Sequence, residues 1–276
     1  MEAATELNAA TLTALIGLVH KHTGIAMTER KSVLLQGRLQ PRLRALGLAS
    51  YAAYLKRLED DHSEVQLFIN MVTTNDTVFF RTPHVWDYFL QEYLPTWSAA
   101  HPGQILNIWS AAAASGEEAY SIAMLCEEYL HHAPGFRYQI LATDISTEVL
   151  ACGRAGIYGG RSVDRLQASR PQMLTKYFMS HAQGIEVRPI LRKNVRFAEH
   201  NLLAPLHPPE KFDLVFLRNV LIYFEEDNQE RVVRQASLSM KEDARLVLGE
   251  SESLGRFDSG YLYEMPLIYS LAKVPA

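Results

Sequence analysis

Hydrophobic positions recur every three or four residues over the first third of the chain. Leu12, Leu15, Ile16 and Val19 share one helical face, and Gly24 follows as a stop. Thr28-Glu29-Arg30-Lys31 opens a second helix carrying Val33, Leu34, Leu35, Leu39, Leu43 and Leu46. Pro41 lies inside that run. Proline has no N–H and its ring clashes with the preceding turn, which predicts a kink or an end near Gln40. Further helices are predicted near residues 50–60, 63–73 and 83–94, the last with Pro83 in its first turn.

After His101-Pro102-Gly103 the pattern changes. Short apolar runs at residues 105–110, 138–143, 212–217 and 245–249 read as strands, and helical stretches at 117–131, 147–154 and 227–240 lie among them. This alternation predicts a parallel, doubly wound α/β sheet. Two runs at 261–264 and 267–271, around Met265-Pro266, predict an antiparallel hairpin at one sheet edge. Between Tyr177 and Phe197 the alternation stops. Residues 177–179, 184–188 and 194–197 read as three short strands of a small antiparallel insertion, a common place for partner recognition.

Composition narrows the class. Hydrophobic residues make up 48% of the chain, enough for a large core, and disorder is excluded. A net charge of −4 argues against a dedicated nucleic-acid binder. Cys126 and Cys152 form no CxxC pair, which predicts packed thiols in a reducing compartment. Residues 1–6 carry no basic stretch leading into an apolar one, so no signal peptide is read there. No apolar run reaches the roughly 18 residues of a membrane helix. A soluble cytoplasmic protein is expected, with no direct membrane insertion. No HExxH or comparable spacing is present, so no metal site is expected, and no GxSxG elbow supports a hydrolase.

Four segments are placed to carry chemistry. Trp109-Ser110-Ala111-Ala112-Ala113-Ala114-Ser115-Gly116-Glu117-Glu118 joins the first strand to its helix, and its small residues let a ligand approach the backbone. It is not a GxGxxG loop, and a plain strand-to-helix turn is the competing reading. Asp144 closes the second strand, where a carboxylate can accept from both ribose hydroxyls or can cap the helix that follows. Arg218-Asn219 ends the later strand at the ligand edge, with Tyr223 and Phe224 shortly after. Thr73-Thr74-Asn75-Asp76-Thr77-Val78-Phe79-Phe80-Arg81 precedes the sheet region and can fold over its mouth, although Phe79 and Phe80 also suit a core.

Taken in order, Asn75-x-Thr77-x-Phe79-Phe80-Arg81, Trp109 through Glu118-x-Tyr120-Ser121, Thr143-Asp144-Ile145, Gly156-Ile157-Tyr158, Asn201-Leu202 and Arg218 through Phe224 resemble the CheR family. These are the glutamate methyltransferases of methyl-accepting chemotaxis receptors, and the resemblance spans nearly the whole chain. It implies an all-α N-terminal domain over residues 1–75 and a linker with a first helix over 76–100. A Rossmann-like class I methyltransferase domain follows over 101–276, with a β-subdomain at about 177–197. It implies S-adenosylmethionine as cofactor, S-adenosylhomocysteine as product and no metal. Asn75, Thr77, Arg81, Glu118, Asp144, Asn201, Leu202, Arg218 and Asn219 are expected at the cofactor, with Arg81 and Tyr223 at the reacting centre. Arg38, Arg42 and Arg44 are expected to dock the protein, as a monomer, on the cytoplasmic helical bundle of a receptor. Two departures stand out: Pro41 interrupts the family's basic helix, and Ser180-His181-Ala182-Gln183 makes a short loop, resembling members that bind no receptor pentapeptide. Two alternatives share the fold, a small-molecule O-methyltransferase and a non-catalytic adaptor that senses the cofactor. The helical domain argues against the first, and Arg81 with Tyr223 against the second.

Overall fold

The computed structural model describes residues 7–272, so the signal-peptide reading at residues 1–6 lies outside the described residues. Four helices come first: α1 (Ala9–Thr23), α2 (Ser32–Ala45), α3 (Tyr51–Asp60) and α4 (His62–Val72). Asn8 caps α1 by accepting from the Thr11 N–H at 2.8 Å, and Gly24 ends it in the left-handed conformation. Leu15, Val19, Leu35, Leu39, Tyr54 and Phe68 fill the bundle core. Helix α2 does not end near Gln40 but runs through Pro41 to Ala45. An interior proline costs about 3 kcal/mol. Leu35 and Leu39 before it and Leu43 after it are all buried, so packing on both sides outweighs that cost. The N–H that proline lacks is the one the Gly37 carbonyl would accept, and Gly37 is on the exposed face of the helix.

An extended segment, residues 73–82, leads into α5 (Pro83–Tyr88). A π-helical turn at Phe89–Tyr93 joins α5 to α6 (Leu94–Ala100). Then follow β1 (Ile105–Ala111), α7 (Glu117–Leu130), β2 (Arg137–Asp144), α8 (Thr147–Ala155) and β3 (Ile157–Tyr158). Next come α9 (Arg161–Ser169), α10 (Pro171–Tyr177), β4 (Phe178–His181), β5 (Gly184–Val187) and α11 (Pro189–Arg192). The chain continues through β6 (Val195–Glu199), β7 (Phe212–Leu217), α12 (Glu226–Leu238), β8 (Met240–Leu248), β9 (Tyr261–Met265) and β10 (Ile268–Leu271). Among the described residues no helix is long and apolar enough to cross a membrane.

The main sheet has the order β6-β2-β1-β7-β8-β10-β9. Pairings from β6 through β8 are parallel, and β10 is antiparallel to both β8 and β9. The α/β sheet and its terminal hairpin thus follow the expected pattern. Every residue of β7 is buried, as a central strand covered on both faces requires. Trp86, Phe89, Tyr120 and Phe216 fill one side, while Trp109, Val215, Leu217 and Val233 fill the other.

The insertion differs from expectation in its third strand. The small sheet is β3-β5-β4, and β6, which the sequence placed in it, is the outer parallel strand of the main sheet. Strand β6 pairs along β2 from Val195 opposite Ile140 to Glu199 opposite Asp144. Phe197 packs where a side chain at Gly116 or Gly153 would collide with it. A two-residue strand such as Ile157-Tyr158 has no periodicity to read. Gly184 betrays the pairing more clearly: its φ is +139°, and a Cβ there would come 2.1 Å from the Tyr158 carbonyl oxygen.

Strand order reverses beside β1. The chain steps from β1 to β2 and β6 on one side, then returns to β7 on the other. A crevice forms outside the carboxyl ends of strands at such a point. The opposite end is locked by Asp213, which is 2% exposed. Its carboxylate accepts from Trp97 Nε1 (3.0 Å), the Asn107 N–H (2.8 Å) and Lys241 Nζ (2.8 Å), tying α6, β1 and β8 to β7. Replacing Asp213 by Ala strands these donors and is expected to lower unfolding free energy by about 3–5 kcal/mol, read from urea denaturation.

Candidate active site

At the carboxyl end of β1, β2 and β7 opens a cleft lined by residues of both the helical and the sheet regions. Each sheet strand contributes through the residue that ends it or the loop that follows. Beyond β1, Ala112 and Ala114 adopt left-handed backbone (φ 61° and 47°). This turns the loop's N–H groups inward: Ala114 donates to Asp144 Oδ2 at 2.9 Å, and Ala113 donates to the Thr143 carbonyl at 2.8 Å. Gly116 (φ +95°) begins α7 with no room for a Cβ against Phe197.

Asp144 ends β2 at 6% exposure and lines the cleft. Its Oδ1 accepts from the Ser146 N–H at 2.9 Å in a tight local turn, while Ser146 itself is the N-cap of α8 and that helix has no side-chain capping bond. Burial pushes the Asp144 carboxyl above the ordinary aspartate range, and the N–H bonds from Ser146 and Ala114 only partly offset this.

Beyond β7, Arg218 is buried, its side chain only 1% exposed. It donates to Glu118 Oε2 at 3.0 Å and, through its other terminal nitrogen, to the Arg81 carbonyl at 2.9 Å. Glu118 also accepts from Ser110 Oγ at 2.7 Å. The guanidinium lies 5.6 Å from the Trp86 ring centre, and its Nε is buried without a hydrogen-bond partner. One ion pair therefore joins the first helix of the sheet domain, the end of β7 and the segment preceding α5.

That segment forms a wall of the cleft. Asn75, Thr77 and Arg81 line it. Arg81 sits between Phe80 and Thr82, both left-handed (φ 52° and 66°). The turn is pinned: the Phe80 N–H donates to Ser121 Oγ (3.0 Å), Trp86 Nε1 donates to the Arg81 carbonyl (2.8 Å), and the Arg170 guanidinium lies 4.5 Å over the Phe80 ring. Phe79 packs edge-on against Tyr158 and Phe178 of the small sheet. The aromatic pair is thus core, and it aims the arginine between them and Thr82 at the cleft.

Asn201, Leu202, Asn219 and Tyr223 complete the set, so all ten residues expected at the cofactor or reacting centre line one cleft. Asn201 is committed structurally through its side chain. Its Nδ2 donates to the His22 carbonyl (2.9 Å), and its Oδ1 accepts from the Leu203 N–H (3.0 Å). The Tyr223 carbonyl accepts from the Ala26 N–H at 2.8 Å, and Ile25 bridges Phe224. These bonds bring the end of α1 onto the rim, and Thr23 and Ile25 line the cleft from the helical domain. Sequence reasoning missed both, since nothing local marks a helix end as part of a site nearly 200 residues away. It also missed His200, which lines the cleft and whose imidazole burial keeps below its ordinary pKa.

The three arginines expected to dock a partner stand outside the cleft. Arg42 is bidentate on the buried Glu64 (2.9 and 2.6 Å), which also accepts from Tyr54 OH. Arg38 donates to the Val72 carbonyl (2.5 Å) and Thr74 Oγ1 (2.9 Å). Arg44 and Lys31 are exposed. Two of the three expected docking groups therefore also hold the helical bundle and the segment that follows α4. Among the described residues no cluster of side chains fits a metal.

Removing Glu118 leaves a buried guanidinium without its counter-charge. Glu118→Ala is expected to cost about 3–5 kcal/mol in urea unfolding, and Glu118→Ala combined with Arg218→Met less than the sum of the two single changes.

Residues 75–265 match the family described as CheR methyltransferase, SAM binding domain, and residues 10–73 match CheR methyltransferase, all-alpha domain. The chain is similar to the chemotaxis protein methyltransferase of Escherichia coli (strain K12), 38% identical over 263 residues, covering 93% of this chain and 88% of the relative. Its similarity to the protein of that name from Borreliella burgdorferi is 35% over 271 residues, covering 94% and 93%. Chemotaxis protein methyltransferase 1 of Pseudomonas aeruginosa is 32% identical, covering 88% and 90%. A Rossmann-like sheet, an all-α domain closing its ligand edge and matches over both parts lead to one conclusion: the chain belongs to the CheR family of S-adenosylmethionine-dependent methyltransferases.

Proposed function

We propose that the cleft holds S-adenosylmethionine beside a receptor glutamate and that the chain esterifies that glutamate for sensory adaptation. The convergence of Arg81, Glu118, Asp144 and Arg218 at one rim carries this reading. On the same reading a helical domain ends near residue 75, residues 76–100 form linker and first helix, and the methyltransferase domain follows.

The donor set suits the cofactor. Asp144 accepts one N–H on each carboxylate oxygen and retains lone pairs for ribose hydroxyls. Glu118 is partly open to the cleft beside the Ser110 hydroxyl, suited to a cationic amino group. The left-handed Ala112 and Ala114 keep that wall to methyl-sized side chains, so a ligand can reach the backbone. Asn75, Thr77, Asn201, Leu202 and Asn219 line the remaining surface.

When bound, the cofactor supplies a methyl group already activated on a sulfonium. A glutamate side chain, with an ordinary pKa of about 4.3, is ionised at neutral pH. Attack by one carboxylate oxygen on that methyl would leave the S–C electron pair on sulfur and would move no net proton. The residues therefore need no general base. Arg81 attracts and orients the incoming carboxylate, Tyr223 hydrogen-bonds it, and the helical domain excludes water. Positioning of this kind can supply about 7–11 kcal/mol. The partner is the cytoplasmic helical bundle of a chemoreceptor, approached in the cytoplasm through the basic residues of α2, Arg38, Arg42 and Arg44, of which Arg44 is exposed.

Tritiated-methyl transfer to receptor-containing membranes tests this directly: base-labile label is expected, and absence of label from active donor and receptor would sink it. Arg81→Ala is expected to lower kcat about 100-fold with cofactor affinity retained, since orienting contacts act on the transition state. Asp144→Ala is expected to raise the S-adenosylhomocysteine Kd about 10- to 100-fold, with each tenfold equal to about 1.4 kcal/mol. The pH sign follows from burial. A raised Asp144 pKa means the acceptor is lost on acidification at a pH above the ordinary aspartate range, so cofactor affinity falls there first. Asp144→Asn removes that pH step, read by calorimetric titration across pH.

A further inference from the structure

Glu252 lies beyond β8 in a stretch with no helix or strand, 7% exposed. Four backbone N–H groups converge on its carboxylate. Oε2 accepts from Asn219 at 2.8 Å and Gly249 at 2.7 Å, and Oε1 accepts from Val220 and Leu221, each at 2.8 Å. Three of these donors form the turn that carries the chain out of β7 and across the cleft. Successive N–H groups folded around one anion make a nest, and charge-assisted bonds in a buried site are the strong kind.

The turn needs such a hold. Asn219 is left-handed at φ 57°, a conformation that a non-glycine residue keeps only where its surroundings over-determine it. The turn opens directly into the 3-10 segment Leu221–Tyr223, so its angle sets where Tyr223 stands. The opposing backbone is fitted tightly as well. A Cβ at Gly249 would lie 2.6 Å from Asn219 Nδ2, 2.7 Å from Glu252 Oε2 and 2.8 Å from the Asn219 nitrogen.

We propose that Glu252 is a positioning residue for the cofactor and reacting-centre wall: its carboxylate holds the turn that presents Asn219 and Val220 to the cleft and fixes Tyr223. This rests on reading the cleft as the cofactor site. Both oxygens are needed. A glutamine offers one acceptor and turns an NH₂ toward two N–H groups. Gly249→Ala reaches the same contact by a different route, pushing a methyl between Glu252 and Asn219 at a position with no left-handed strain.

The test is calorimetric titration of the full chain with S-adenosylhomocysteine, with thermal unfolding of each variant alongside. Glu252→Gln and Gly249→Ala are each expected to raise Kd at least tenfold in protein that remains folded at the titration temperature. In the double variant Glu252→Gln with Asn219→Ala, Kd is expected to stay within about threefold of the weaker single variant, because both changes act through one turn. Wild-type Kd in both single variants, with only the unfolding temperature lowered, overturns the proposal, as do effects that multiply in the double variant. Should Glu252→Gln not fold, Gly249→Ala decides by the same threshold. Wild-type protein that does not bind S-adenosylhomocysteine removes the cofactor reading itself, and the proposal with it.

Discussion

The active rim is organised around one buried cation. Arg218 is almost wholly removed from water, and burying a guanidinium costs several kcal/mol unless charge and hydrogen bonds replace its hydration. Glu118 and the Arg81 carbonyl supply them. These partners come from the helix after β1 and from the segment before α5, and the arginine itself ends β7. Folding cannot satisfy the charge without bringing the three together, so the cleft is assembled by the same contact that makes the burial tolerable.

Strain gathers at the same rim. Of the left-handed residues other than glycine, Phe80, Thr82, Ala112, Ala114 and Asn219 all border the cleft or flank Arg81. Each such position costs of order 1–3 kcal/mol and persists only where neighbours enforce it. The enforcing contacts are specific: Ser121 and Trp86 around Arg81, Asp144 beneath Ala114, and Glu252 beneath Asn219. The helical domain adds its own clamp through Ala26 on Tyr223, Asn201 on His22 and Asn228 on Gly24. Gly24 is constrained there by both φ (+73°) and space, since a Cβ would meet Leu203 at 2.4 Å. The site is thus built from both matched domains, and the segment leading into α5 supplies Arg81.

Much of this was legible before any coordinates. Leu12, Leu15 and Val19 mark a helix face, and the apolar run Leu214-Val215-Phe216-Leu217 marks a strand buried on both faces. Asp144 and Arg218 stand immediately after such runs, where strand ends meet ligand in a doubly wound sheet. Three features depended on contacts between distant parts of the chain. Pro41 did not end α2, because the buried leucines on either side hold the helix across it. Strand β6 resembled its neighbours in the insertion, and only its register along β2 places it in the main sheet. Arg42, expected to dock a partner from its position on a basic helix, also holds a buried glutamate of α4.

Local sequence determined the elements, because 3.6-residue and two-residue periodicities and turn residues act over a few positions and need no distant partner. It also determined the inventory of polar side chains at strand ends. What only the tertiary structure decided was which of those charges are spent on the fold and which are left for chemistry. Arg42 and Arg38 hold packing, Arg218 holds the rim, Glu252 holds a turn, and Arg81 faces the cleft. Charge and hydrogen bonding act between groups brought together by folding, and a side chain's role follows from the partner it meets there.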